Sequence, residues 1–342
     1  MADKGEPQVS VLMPFRDAEA TLPQCLQSIR RQTFPDWECV AVDDHSSDRS
    51  LELVREAAAS DSRIQVVRGT TGGLVPALNQ GLALCSGRYV ARMDGDDLMH
   101  RDRLAHQVAM LESDPGLAGL GCRVRMFPRK TLGPGMAAYE AWLNRIDSPE
   151  RLAADLWIEC PVAHPALMLH SGVFKEAGYR DKGWPEDYDL ILRLLGAGRK
   201  IGVAPQRLLS WRRDPGSLSM TDPRYLADRF AACKAEHLCT LSAIGFLHAS
   251  HRYLLWGYGG TGRSLARELQ VHGRYPSAII DVHPGRIDNR ILGAAVIGPE
   301  DLPEPGTLPM VVSVAGEEPR GRIRAFLNHR GWRESLDFIC AA

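Results

Sequence analysis

Three carboxylates fall within four residues, Asp94-Gly95-Asp96-Asp97, directly after the mostly apolar run Tyr89-Val90-Ala91-Arg92-Met93. The apolar run suits a buried, parallel strand. Carboxylates this close repel one another, and burial raises their pKa values. A cation relieves that repulsion, and hard oxygen ligands suit Mg²⁺ or Mn²⁺, ions that commonly hold the phosphates of a nucleotide. Gly95 allows the chain to turn sharply, so side chains on both sides can reach one centre. Taken alone, Asp-Gly-Asp-Asp is also what a solvated turn after a strand looks like. A second acidic pair, Glu186-Asp187, follows Pro185 and precedes Leu190, Ile191, Leu194 and Leu195. Proline suits the first turn of a helix, so both acids are expected at a helix N-terminus. There they complement the helix dipole, which is expected to keep Asp187 ionised.

The elements that must position these groups alternate regularly. Val9 to Met13, Trp37 to Val42, Ile64 to Val67 and Tyr89 to Met93 read as strands. Between them, helices are expected around Leu22, Leu26 and Ile29, around Leu51, Val54 and Ala58, and over Leu74 to Leu84. Such alternation predicts an α/β fold with a parallel sheet covered by helices. Ligands of these sheets sit beyond the carboxyl ends of the strands. Asp17, Asp43, Asp44, Arg68 and the acidic cluster all follow strand ends, so they are expected on one rim. Further on, a helix with Leu104, Val108 and Leu111 and a strand over Leu117 to Met126 are expected, then a strand in Cys160 to Met168.

In order, Val11-Leu12-Met13-Pro14-Phe15-Arg16-Asp17, then Val42-Asp43-Asp44-His45-Ser46-Ser47-Asp48, then Met93-Asp94-Gly95-Asp96-Asp97 resembles the family 2 glycosyltransferases of the GT-A fold. Gly73, Ala77, Asn79 and Gly81 match the family's intervening segment, and the resemblance runs from residue 9 to about 220. It implies a nucleotide diphosphate sugar as donor, with UDP-sugars first, and Mg²⁺ or Mn²⁺ as cofactor. Pro14, Phe15, Asp17, Asp43, Asp44, Arg68, Asn79 and Asp94 are then expected to hold the donor. Uracil N3–H needs an acceptor such as the Asp43 carboxylate; Asp43, Asp44, Asp17 and Asp48 are also placed to cap turns or helices. Asp96 is expected as the direct metal ligand, with Asp94 on ribose or on the metal. The family's Glu-Asp motif falls on Glu186 and Asp187, followed by Asp189-Leu190 and Arg193. Inverting transfer needs one base to take the acceptor's proton, which is assigned to Asp187, with Glu186 in support.

Trp211 to Ser219 is similar to the family's loop over the diphosphate, where Arg212 and Arg213 would neutralise the leaving group. Many relatives carry His where this chain has Asp214, so Asp214 is either a third metal ligand or a turn cap. His164 is expected to line the acceptor site or to be a satisfied buried histidine, and Trp184 is a second acceptor candidate.

From Asp222 to His251 the pattern looks helical, a connector. Arg252 to Trp256 then reads as a strand, followed by Gly257-Tyr258-Gly259-Gly260-Thr261-Gly262 and a helix with Leu265, Ala266 and Leu269. Asp281 ends the next strand at the spacing a dinucleotide fold uses for ribose. The expected organisation is a GT-A domain over residues 1–221, a connector over 222–249 and a small Rossmann-like domain over 250–342. In so small a module the glycines are expected to serve tight packing, and the module to dock, dimerise or position the acceptor. NAD(P) is not expected.

The chain has 342 residues, enough for two domains, and a net charge of −1, which offers no field for nucleic acid or an anionic membrane. Its eight cysteines are scattered without a Cys-x-x-Cys pair, which fits a reducing cytosol. The polar start Met-Ala-Asp-Lys-Gly-Glu lacks a signal-peptide core, and no apolar run is long enough to span a bilayer. The expected location is cytoplasmic, with a peripheral place at the inner face of a membrane left open. The acceptor stays open among a sugar, a lipid-linked molecule, a protein and a small molecule. Two rivals remain: an NAD(P)-dependent oxidoreductase centred on Gly257 to Gly262, and a nucleotide-sugar-binding protein without turnover.

Overall fold

The structure, a computed structural model, describes residues 6–214 and 216–342. Residues 1–5 of the polar start, and Pro215 of the Trp211–Ser219 segment, lie outside the described residues. By internal contacts the chain divides into two units that interleave in sequence. One is Met1–Leu152, Val162–Asp181 and Arg199–Ser217; the other is Ala153–Pro161, Lys182–Gly198 and Leu218–Ala342. The reading along the sequence cuts the chain after residues 221 and 249 instead.

The first unit is built on eight strands: β1 (Val9–Phe15), β2 (Trp37–Asp43), β3 (Ile64–Arg68), β4 (Tyr89–Arg92), β5 (Leu98–Met99), β6 (Leu117–Phe127), β7 (Met168–His170) and β8 (Lys200–Arg212). They lie in the order β3-β2-β1-β4-β7-β6-β8-β5. The first four are parallel, as the alternation requires. β7 is antiparallel to both its neighbours, so the sheet is mixed beyond β4. Helix Leu22–Arg30 buries Leu22, Cys25, Leu26 and Ile29, the face its spacing predicts. Helix Leu74–Leu84 approaches the sheet so closely that a Cβ on Gly81 would stand 2.4 Å from Leu12 Cδ1.

Three elements differ from expectation. Residues 160–167 do not form a strand: His164–Ala166 is a single 3-10 turn, and β7 starts only at Met168. Pro161 and Pro165 remove backbone donors there, which a ladder needs. Trp211 and Arg212 are not in a loop but end β8, opposite Met126 and Phe127 of β6. β8 itself is hidden in the sequence because Pro205-Gln206-Arg207 is exposed and the pairing register shifts near it. The expected helix from 222 to 251 is shorter, Ala227–Thr240. Gly245 then turns back on it, with its N–H on Leu241 O at 2.6 Å and no room for a Cβ against that same carbonyl.

The second unit contains a six-stranded sheet. Its strands are β9 (Arg252–Trp256), β10 (Tyr275–Ile280), β11 (Arg290–Ile291), β12 (Ala294–Ile297), β13 (Met310–Val312) and β14 (Phe338–Cys340). The order is β11-β12-β10-β9-β13-β14, all parallel except β11 against β12. β9 is central and the chain passes to its two sides in turn, the doubly wound arrangement of a Rossmann-like module. Leu254, Trp256, Ile280, Met310, Leu327, Trp332 and Phe338 form its core.

A buried arginine secures the end of β4. Arg103 is fully buried; it donates to Arg92 O at 3.1 Å, to Leu167 O at 3.4 Å and to Gln107 Oε1 at 2.9 Å. Methionine has similar length but no donors. Arg103→Met is expected to lower stability by about 1.5–3 kcal/mol, the usual worth of hydrogen bonds from a charged group. A shifted urea midpoint with an unchanged slope checks this.

Candidate active site

The strand–turn junction after β4 brings the three carboxylates together as the sequence predicts. One ligand atom each from Asp94, Asp96 and Asp97 lies within 4.8 Å of the others. Gly95 packs closely, since a Cβ would come 3.1 Å from Phe15 Cβ and 3.3 Å from Leu22 Cδ2. Two side chains fix the turn's carbonyls: Thr21 Oγ1 donates to Gly95 O at 3.2 Å and Cys25 Sγ to Asp94 O at 3.3 Å. Arg92, 1% exposed, pairs with Asp94 Oδ1 at 2.6 Å. Burial, then the Asp94 charge, pushes the Asp96 carboxyl up to about 6. Asp97 is raised well above the carboxylate range by burial and by both neighbours. Its Oδ1 accepts the Arg212 N–H at 2.6 Å, while its buried Oδ2 has no hydrogen-bond partner among the described residues.

The other strand ends carry the remaining acids. Asp43 is fully buried at the end of β2; its Oδ1 accepts Ser46 N–H at 3.1 Å, and Arg68 Nε lies 3.8 Å from its Oδ2. Asp43 Oδ2 has no hydrogen-bond partner among the described residues, so an acceptor there is open to a ligand N–H. Asp44 Oδ1 accepts Gly73 N–H at 2.6 Å and so anchors the loop before helix Leu74–Leu84. Pro14 and Phe15 end β1. Asp17 follows with a left-handed φ of 45°. Its Oδ1 accepts both the N–H and the hydroxyl of Ser47, bonds that hold its pKa low.

Arg212 belongs to the acidic turn in two ways. Besides its N–H on Asp97, its Nε donates to Asp96 O at 2.7 Å, and its guanidinium covers the Phe127 ring. Arg213 is half-buried, stacks on Trp211 at 5.0 Å, and burial lowers its pKa. Asp214 is not in the carboxylate group; its Oδ1 accepts Gly216 N–H at 2.8 Å and caps a turn. Asn79, on helix Leu74–Leu84, is bonded to Tyr179. Its amide accepts Tyr179 N–H and donates to Tyr179 O, both at 2.9 Å, clamping one loop. His164 is buried against Tyr179, with Nε2 2.7 Å from the hydroxyl, and burial holds its pKa well below the histidine range.

Glu186, Asp187 and Trp184 belong to the second unit. Glu186 and Asp187 open helix Glu186–Gly196 directly after Pro185, as the sequence predicts. Tyr225 OH reaches both Glu186 oxygens at 2.9 Å, and Arg224 Nη1 lies 3.8 Å from Oε2. The expectation that the helix dipole keeps Asp187 ionised is overturned. Burial, then the Glu186 charge, raises its carboxyl to about 8. Asp189 is the foundation below: it accepts Arg193 Nε at 2.7 Å and Trp184 Nε1 at 3.2 Å, with His237 Nε2 at 3.0 Å. Trp184 is thus tied to the helix through its indole N–H. Gly257 and Gly259 form the turn from β9 into helix Gly260–Val271, Gly262 is buried in that helix's first turn, and Asp281 follows β10.

Residues 10–178 match the model of Glycosyl transferase family 2. Through this segment the chain belongs to glycosyltransferase family 2. EpsE of Bacillus subtilis (strain 168), named as a glycosyltransferase, is 29% identical over 67% of this chain and 82% of its own length. The uncharacterized glycosyltransferase EpsJ of the same strain is 31% identical over 62% of this chain and 63% of its own. Among solved structures, residues 1–349 of S. aureus TarS, in complex with UDP-GlcNAc, superpose with a TM-score of 0.55. The identity is 17%, and the match covers 78% of this chain and 72% of that one. The Pyrobaculum calidifontis mannosyltransferase PcManGT, in complex with GDP-Man and Mn²⁺, gives a TM-score of 0.51 at 19% identity, over 79% of this chain and 70% of that one. These likenesses show the GT-A fold. No helix among the described residues is long and apolar enough to cross a membrane.

The carboxylate group of the glycosyltransferase fits a hard divalent cation. Its donors are all oxygen, two of its acids are raised by burial and crowding, and one buried oxygen has no hydrogen-bond partner among the described residues. A raised folded-state pKa gives stability below the unfolded pKa that is lost as pH rises through the folded one. The metal-free protein is therefore expected to lose melting temperature between pH 4 and 7 from this cluster. Mn²⁺ is expected to raise the melting temperature more at pH 7 than at pH 5, because protons compete for the same oxygens. Asp96→Asn is expected to remove that metal effect. A scan of melting temperature against pH, with and without Mn²⁺, checks all three.

Proposed function

We propose that this family 2 glycosyltransferase is metal-dependent and inverting, moving a sugar from a nucleotide diphosphate donor, with UDP-sugars first, to a hydroxyl acceptor. The observation that carries the reading is the convergence of Asp94, Asp96 and Asp97 at the end of β4, with Arg212 bonded to two of them. The ligands named for the TarS and PcManGT structures, UDP-GlcNAc, GDP-Man and Mn²⁺, support the donor class and the cation.

The proposed roles follow from the chemistry of each group. Asp96, with Asp94 and Asp97, would hold a Mg²⁺ or Mn²⁺ that neutralises the donor's diphosphate. Asp43 offers a buried oxygen, without a hydrogen-bond partner among the described residues, for the N3–H of a uracil ring, and Arg68 stands beside it. The acceptor oxygen attacks the anomeric carbon as the bond to the diphosphate oxygen breaks. The acceptor's proton passes to Asp187, and the charge on the departing nucleotide falls to Arg212 and Arg213. Tyr225 and Arg224 hold Glu186, so its negative charge can position Asp187 or the acceptor. The acceptor is a sugar, lipid-linked, protein or small-molecule hydroxyl.

A base must be ionised to act, and burial, then the Glu186 charge, pushes the Asp187 carboxyl up to about 8. The rate is therefore expected to rise with pH through an apparent pKa of about 8 and then level off. Asp187→Asn keeps the shape and removes the acceptor for the proton. It is expected to lower kcat by about 10²–10⁴, to flatten the pH profile, and to leave UDP affinity unchanged. Release of UDP or GDP in a donor screen, followed over pH 6–9 for both proteins, reads this out. Full turnover in Asp187→Asn would move the base elsewhere.

A further inference from the structure

The glycines of residues 257–262 do two different jobs. Gly257 has a φ of 92°, and a Cβ there would stand 2.5 Å from Val314 Cγ2. A Cβ on Gly262 would come 2.2 Å from the Gly257 carbonyl oxygen. Tight packing, the role expected for the whole motif, explains these two. It does not explain Gly259 and Gly260. Nothing lies within 4 Å of a Cβ on either, and Gly259, at φ −78° and ψ −162°, has a conformation open to any residue. Backbone is left bare here at the start of a helix of 12 residues whose N-cap, Gly259, has no side chain to cover it.

A second observation comes from the neighbouring strand. Ser313 directly follows β13, is 3% exposed, and its hydroxyl has no hydrogen-bond partner among the described residues. That hydroxyl lies 3.5 Å from the position of a Cβ on Gly262, so it faces the foot of the loop. β13 and β10 flank β9 on opposite sides, and the chain reverses its direction of winding between them. Ligands of open α/β sheets bind at this switch, outside the carboxyl ends of the strands. The next strand ends in Asp281, whose Oδ1 accepts His283 N–H at 2.9 Å and whose Oδ2 accepts Arg286 Nη1 at 2.8 Å.

We propose that the loop Gly257–Gly262, with Ser313, binds the diphosphate of a nucleotide, at a site separate from the acidic cluster of the glycosyltransferase. Bare backbone at Gly259 and Gly260 lets phosphate oxygens reach the N–H groups of the helix start, which favour anions. The Ser313 hydroxyl then gains the acceptor it lacks. Asp281 stands at the strand end where the ribose of such a ligand is held in this fold. The role is binding: no group beside the loop is assigned to hydride transfer.

Calorimetric titration of the full-length chain in excess EDTA tests this, with NADH, ADP and UDP as separate probes and inorganic pyrophosphate as competitor. At least one probe is expected to bind with one site per chain and to be displaced by pyrophosphate. NADH binding identifies a dinucleotide as the source of the diphosphate; ADP or UDP binding without NADH identifies a mononucleotide. Gly259→Asp has room for its side chain and places a negative charge on the loop. It is expected to weaken binding at least tenfold with an unchanged melting temperature, and Ser313→Ala severalfold. Asp96→Asn is expected to leave this binding intact. The proposal falls if no probe binds at millimolar concentration, or if Gly259→Asp binds like the parent. It also falls if the bound probe is lost in Asp96→Asn and kept in Gly259→Asp.

Discussion

Mutual repulsion among Asp94, Asp96 and Asp97 is the constraint to which the first unit answers. Three carboxylates within 4.8 Å, one of them 1% exposed, are unfavourable unless something neutral or positive is supplied. The chain supplies part of it from both sides. Arg92 comes from the strand before the turn, and Arg212 from the end of β8, more than a hundred residues later. Arg103 holds the Arg92 carbonyl from beneath, so a second buried cation stabilises the backbone that carries the first. What these groups leave is a raised Asp96 and a raised Asp97 with one unbonded oxygen. A fold that stabilised its acids completely would have no reason to bind a cation.

The same tension appears at Asp187. Burial and the adjacent Glu186 disfavour its charge, although it sits at the favourable end of a helix. Local dipole rules treat a helix terminus as if it were wet. Here desolvation is the larger effect and decides the direction. Glu186 is instead served by a phenol and a guanidinium from residues 224 and 225, so the two adjacent acids are treated differently.

Elements whose signal is local were legible in the sequence. The apolar runs of β1 to β4, the helix faces and the Asp-Gly-Asp-Asp turn each carry their information within about ten residues, and they stand where the pattern predicts. β8 was not legible, because its apolar pattern is broken by Pro205-Gln206-Arg207 and its stability comes from a distant partner, β6. For the same reason Arg92, Arg103 and the anchoring role of Asp97 escaped notice. A buried arginine and an exposed one look alike in one dimension. Asn79 and Asp214 have residue types that suit ligands; the bonds the structure gives them, to backbone of Tyr179 and of Gly216, carry no trace in the sequence. β11 and β12 are short strands between turns and left no periodic trace.

The second unit's interleaving bears on how such a chain could have been assembled. Lys234, on helix Ala227–Thr240, donates at once to Ile158 O and to Ala341 O, next to the last residue. His237, one turn further along that helix, bonds to Asp189 beneath the Glu-Asp pair, and Arg324 of the Rossmann-like part pairs with Asp155. The chain's final residues and the helix bearing Asp187 therefore share one scaffold. Removing the tail would loosen the footing of an acid far upstream, so exchange of the C-terminal module between relatives is not a matter of joining two finished parts. A recombinant carrying another module would have to bring matching partners for Lys234 and Asp155.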